Sequence, residues 1–107
     1  MRVYQQAIEM NRKLARVAGV IERHDRDLVR QLKRAASSVA LNIAEALGTQ
    51  AGNRELRFRT ALGSAREVQA CLEVAEAWGY LGAADTEARA SVDYVAAMLF
   101  KLVRARR

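Results

Sequence analysis

The sequence predicts an all-α protein, an antiparallel up-down-up-down four-helix bundle, and three observations carry that prediction. The 107 residues contain no proline and are rich in alanine, leucine, arginine and glutamate, which cost little in a helix. Apolar residues recur at alternating spacings of three and four through most of the chain, the rhythm of a helix with one buried stripe. Strand formers are sparse and do not alternate. The connections between periodic segments are short, which makes successive helices antiparallel neighbours.

The first helix is expected from about residue 3 to 22, with Val3, Ala7, Met10, Leu14, Val17 and Ile21 on its seam. Arg12, Lys13, Arg16 and Arg23 lie off that seam. The turn His24-Asp25-Arg26-Asp27 offers an aspartate as N-cap for the second helix. That helix, residues 28–48, is the centre of the organisation. Leu28, Leu32, Ala35, Val39, Asn42 and Ala46 form its stripe, and Val29, Ala36 and Ile43 widen it. It is expected to end at Gly48 in a left-handed cap.

Residues 48–53, Gly-Thr-Gln-Ala-Gly-Asn, form the clearest loop, with Asn53 placed to cap the third helix. Phe58, Ala61, Ala65, Val68, Leu72 and Ala75 make the third seam. Gly63-Ser64 interrupts it at a cost of about 1 kcal/mol for the glycine, which makes sense where another helix backbone approaches closely. Trp78-Gly79-Tyr80-Leu81-Gly82 is the next connection. Asp85 then caps a fourth helix whose seam is Ala88, Val92, Val95, Leu99 and Leu102. A chain of this length reads as one domain over residues 1–107, with roughly 65% of its unfolded surface buried.

Composition excludes several functions. One cysteine, Cys71, forms no internal disulfide and builds no thiolate metal site alone. No signal peptide is evident, and no apolar run reaches the roughly eighteen residues of a membrane span. The expected setting is the cytoplasm, away from the membrane. The one histidine, His24, belongs to no Glu-x-x-His motif, so a di-iron centre has no ligands. Gly48 and Gly52 lack the Gly-Lys-Ser/Thr ending of a phosphate loop. With no catalytic constellation and no cofactor motif, the chain reads as a non-enzyme that needs no cofactor.

The formal net charge is +6, and arginine is strongly favoured over lysine. The planar guanidinium donates two parallel hydrogen bonds, a match for phosphate. Alternating helix directions gather Arg2, Arg54, Arg57, Arg59, Lys101, Arg104, Arg106 and Arg107 at one end, against Glu45 and Glu55. At the other end Glu22, Asp25, Asp27, Glu73, Glu76, Asp85, Glu87 and Asp93 offset Arg23, Arg26, Arg30 and Arg89. The basic end is where a polyanion is expected to bind, with Arg54, Arg57, Arg59, Lys101, Arg104, Arg106 and Arg107 as phosphate contacts. Tyr4, Phe58 and Trp78 fit a core or subunit interface better than a base-stacking platform. Ser38, Asn42 and Glu45 project from an apolar region of the second helix. They admit three roles: internal register, a contact between subunits, or nucleic-acid or substrate chemistry.

A resemblance adds to this reading. Leu28-Val29, Gln31-Leu32-Lys33-Arg34-Ala35-Ala36, Ser38-Val39 and Asn42-Ile43-Ala44-Glu45 closely resemble the signature of the intervening-sequence four-helix-bundle family. Phe58, Ala61, Gly63-Ser64, Glu67, Leu72, Ala75 and Gly79-Tyr80-Leu81 continue it in order and spacing over about half the chain. That family includes proteins encoded within intervening sequences of bacterial large-subunit ribosomal RNA genes, and the accessory variability determinant of diversity-generating retroelements. The resemblance implies a ring-like homopentamer and, in the retroelement branch, binding to nucleic acid and work with a reverse transcriptase. Members commonly have proline at the position of Ala40, glycine at that of Ala46, and arginine at that of Thr49. Ala40 predicts a straighter second helix, and Ala46 lets it run on to Gly48. The leading expectation is a homo-oligomeric protein that binds structured RNA through phosphates. The alternatives are an accessory subunit that binds a reverse transcriptase, or a scaffold whose basic surface serves assembly alone.

Overall fold

A computed structural model describes residues 2–49, 51–82 and 85–105. Four helices follow one another: α1 (Arg2–Glu22), α2 (Arg26–Leu47), α3 (Ala51–Ala77) and α4 (Thr86–Arg104). No strand occurs among the described residues. Each helix packs on its neighbours in the order α1, α2, α3, α4 and back to α1, which gives a bundle of 42 × 21 × 20 Å.

Cross-helix contacts show the directions. Between α2 and α3, Arg34 meets Glu67, Ser38 meets Ser64 and Asn42 meets Arg57, so one number rises as the other falls. Gln69 with Asp93 and Glu76 with Arg89 do the same for α3 and α4. Arg16 near the end of α1 reaches Asp85 at the start of α4. Neighbouring helices are therefore antiparallel.

The seam of α1 is buried throughout, from Val3 to Ile21, as is that of α3 from Phe58 to Ala75. Much of the core is alanine, including Ala7, Ala46, Ala61, Ala65 and Ala75, so helix axes come close and space for large side chains is scarce. Phe58 is the largest fully buried side chain. No described helix is long and apolar enough to cross a membrane.

Several local features depart from expectation. In α2 the fully buried position is Ile43, and Asn42 is only half-buried at the edge of the core. In α4 the stripe runs from Leu99 to Val103, which leaves Leu102 half-exposed on the α1 side. Gly48 ends α2 at φ −100°, outside the left-handed region, with its N–H bonded to the Glu45 carbonyl. The left-handed glycine is Gly79, at φ 79° between α3 and α4.

Asn53 lies inside α3, which already begins at Ala51, so it caps nothing. Gly52 and Asn53 cost only helix propensity there, within an exposed first turn. A Cβ added to Gly63 would meet nothing within 4 Å, so no neighbouring backbone requires glycine. Asp25 caps α2 as expected, its carboxylate accepting from the Leu28 N–H at 2.9 Å. Asp85 stands at the N-cap of α4 without a side-chain cap bond, because its carboxylate takes the Arg16 guanidinium at 3.1 Å instead.

Candidate nucleic-acid interface

The start of α1, the end of α2, the start of α3 and the end of α4 meet at one end of the bundle. Among the described residues this end carries Arg2, Arg54, Arg57, Arg59, Lys101 and Arg104 against Glu45 and Glu55. The first turns of α1 and α3 contain no acidic residue, so the partial positive charge of their N-termini is not offset locally.

The cations differ in how far they are already engaged. Arg54 is half-buried, and its Nε donates to the Ala46 carbonyl at 3.2 Å, satisfying a carbonyl at the C-terminus of α2. Thr49 Oγ1 also approaches that carbonyl, at 3.4 Å. Arg59 pairs with Glu55 one turn back, at 3.2 Å. Arg57 is exposed and makes one long bond of 3.4 Å to Asn42 Oδ1. Arg2 donates to the Tyr94 hydroxyl at 2.8 Å, a neutral partner that leaves its charge uncompensated. Lys101 and Arg104, both exposed in the last turn of α4, have no side-chain partner among the described residues. Arg106 and Arg107 lie outside the described residues.

The polar residues of α2 form a line beside the same end. Ser38 and Ser64 share a hydrogen bond of 2.8 Å between α2 and α3. Asn42 donates to the Ser38 carbonyl at 2.9 Å and to Ser38 Oγ at 3.0 Å, and accepts from Arg57. Glu45 is exposed and pairs with no described residue. Gly63 is exposed beside Ser64.

At the opposite end several charges close on one another, while Arg23 and Arg26 stand exposed without a partner among the described residues. Arg16 pairs with Asp85 at 3.1 Å and Arg30 with Asp27 at 3.4 Å. Arg89 pairs with Glu76 at 3.1 Å and donates to the Gly82 carbonyl at 3.2 Å. His24 stacks on Tyr80 with ring centroids 5.0 Å apart, and the Tyr80 hydroxyl donates to Asp25 at 3.4 Å. Burial, with the Asp25 charge and hydrogen bond behind it, raises the Tyr80 pKa. Burial, reinforced by Glu67 and opposed by Arg34, likewise pushes the Cys71 thiol up, away from the reactive thiolate. Among the described residues no cluster of His, Cys, Asp and Glu could hold a metal ion.

Three features were not foreseen in the sequence. Asn11 donates to the carbonyls of Ala7 and Ala36 at 2.9 and 3.0 Å, tying α1 to α2, yet it reads there as one polar residue among several. The Arg2–Tyr94 bond joins positions 92 apart. Trp78, expected in the core or at a subunit interface, is 71% exposed and lies outside the core.

Residues 1–101 match the family described as "23S rRNA-intervening sequence protein". The fold is also that of a solved protein of unknown function from the S23 ribosomal protein family of Bacteroides thetaiotaomicron. The two share 17% identity and a TM-score of 0.86, over 94% of this chain and 97% of the other. A comparison with curated proteins finds none that matches.

Proposed function

The chain belongs to the 23S rRNA-intervening sequence protein family, and from that premise we propose that it is a non-enzymatic, self-associating bundle that binds structured RNA. Contact is to phosphates, made by the basic end. One observation carries the reading: Lys101 and Arg104 stand exposed and unpaired among the described residues, beside an Arg57 held by one long bond. What distinguishes this end is its charge balance. Among the described residues, the unpaired Arg23 and Arg26 of the other end stand among Glu22, Asp25 and Asp27, whereas here only Glu45 and Glu55 oppose Arg2, Arg54, Arg57, Arg59, Lys101 and Arg104. Binding by such a surface reads backbone charge and shape rather than base sequence.

Self-association is supported by Leu41 and Leu56, 65% and 59% exposed on α2 and α3. The ring-like homopentamer that the family resemblance implies is part of this proposal, and light scattering on the purified protein tests it.

Titration of the nuclease-treated protein with a structured RNA hairpin over a salt series tests the function. The expected result is a linear fall of log affinity with log salt, whose slope counts the phosphates neutralised. Absent or salt-insensitive binding would overturn the proposal and move the search to a protein partner.

A further inference from the structure

In α4 Val103 is buried, while Leu102 is half-buried beside α1 at the basic end. The seam between α1 and α4 there carries a groove of about 460 Å³ lined by Arg2, Val3, Met98, Lys101, Leu102 and Ala105. Val3 is buried beneath it, and Met98 and Leu102 are half-buried in its walls. No carboxylate lines it. Cations stand at the rim: Arg2, steadied by the 2.8 Å bond to Tyr94, and Lys101, which pairs with no described residue. From Met98 to Ala105 the groove spans about two turns of α4, roughly 11 Å, long enough for a base and the sugar that carries it.

An apolar floor with cations only at its rim suits a ligand that is flat and apolar on one side and anionic at its edge. A nucleotide has that form. We infer that the α1–α4 groove receives one unpaired nucleobase of the bound RNA, with Arg2 and Lys101 taking the phosphates on either side of it. Arg104, one turn beyond Lys101, continues the cationic track away from the groove, so the ligand is a polyanion that extends past a single subsite. This rests on the phosphate-binding reading and adds a subsite to it. The RNA favoured is a duplex interrupted by a bulged base, rather than a continuous one.

Two hairpins that differ only by one bulged 2-aminopurine test the inference. Both are titrated into the wild-type protein at the same salt concentration, with affinity and 2-aminopurine emission measured together. The expected result is about fivefold tighter binding of the bulged hairpin, the low end for one sequestered base because the groove walls are aliphatic rather than aromatic, with a change in emission on binding. Replacing both groove walls, Met98→Gln with Leu102→Gln, is expected to remove the preference and leave affinity for the paired hairpin unchanged. Equal wild-type affinities with unchanged emission would overturn the subsite while phosphate binding stands. Failure to bind either hairpin would overturn both readings. Binding to phosphatidylglycerol vesicles, without any preference between hairpins, would assign the groove to a lipid surface and overturn the nucleobase. The wild-type comparison decides even where the double variant fails to fold.

Discussion

The two ends of this bundle use the same residue types to opposite effect. At one end Arg16, Arg30 and Arg89 each meet a carboxylate, and Asp25 serves as helix cap and as acceptor for Tyr80. At the other end Lys101 and Arg104 meet no described side chain, and Arg2 meets only a hydroxyl. Local charge balance, not the number of arginines, separates the two ends. Among the described residues Arg23 and Arg26 are unpaired as well but stand among Glu22, Asp25 and Asp27, whereas only Glu45 and Glu55 oppose the cations of the basic end. Isolated surface pairs contribute little, about 0–1 kcal/mol each, so the interlocked end gains definition more than stability. The open end carries the electrostatic cost of clustered like charges, which a polyanion would relieve.

The largest effect that would break this contrast is on binding. Replacing Arg57, Lys101 and Arg104 together by glutamate is expected to weaken RNA hairpin binding by about two orders of magnitude at low salt, with a shallower salt slope. Circular dichroism is expected to stay near wild type and stability in thermal unfolding to fall by only about 1–2 kcal/mol, the cost of two carboxylates in the last turn of α4. Full affinity in that variant would erase the distinction between the ends.

The reverse experiment acts on the interlocked end. Asp25→Ala removes the α2 cap and the Tyr80 acceptor, and is expected to cost about 1–2 kcal/mol in urea unfolding with RNA affinity unchanged. Arg54 should behave as neither class. Its bond to the Ala46 carbonyl predicts that Arg54→Ala loses about 0.5–1 kcal/mol of stability as well as some affinity, and both readouts on one sample check this. Gly63→Ala belongs to no end and sharpens the comparison as a control. With open space around the missing Cβ, it is expected to raise stability by about 0.5–1 kcal/mol without touching binding.

The smallest effect is on pH. Tyr80 and Cys71 have pKa values raised above 10.0 and 9.0, so the folded state favours their neutral forms. Their contribution is complete below the ordinary values and is lost as pH rises through the raised ones. The melting temperature is therefore expected to fall above about pH 9, and Tyr80→Phe with Cys71→Ala should flatten that fall. RNA binding, by contrast, should respond to salt at the other end.

Most of the fold is legible in the sequence because a three-four rhythm needs only local information. The seams of α1 and α3 can be read residue by residue. The errors sit where two local rules compete. Gly48 and Asn53 look like a cap and a loop, but α3 starts at Ala51 because the small propensity costs of Gly52 and Asn53 are outweighed by a further helical turn. Asp85 looks like a cap, and an arginine 69 positions away takes its carboxylate. The site is less legible for the same reason. Composition and topology place Arg54, Arg57, Arg59, Lys101 and Arg104 near one another, but which of them is already engaged depends on Ala46, Asn42 and Glu55 in three dimensions. The groove between α1 and α4 is invisible in sequence, since its walls come from helices about 95 positions apart along the chain.

An even number of antiparallel helices returns the chain to where it began, and here Arg2 and Lys101 line a single groove. A tag or fusion partner joined directly before α1 or after α4 would therefore be displayed over the basic end and mask it. Joining the termini with a short flexible linker and reopening the chain in the turn between α1 and α2 would carry the new ends to the far pole. Such a circular permutant would leave the arginine-rich face unobstructed, and would let the bundle be immobilised with that face outward.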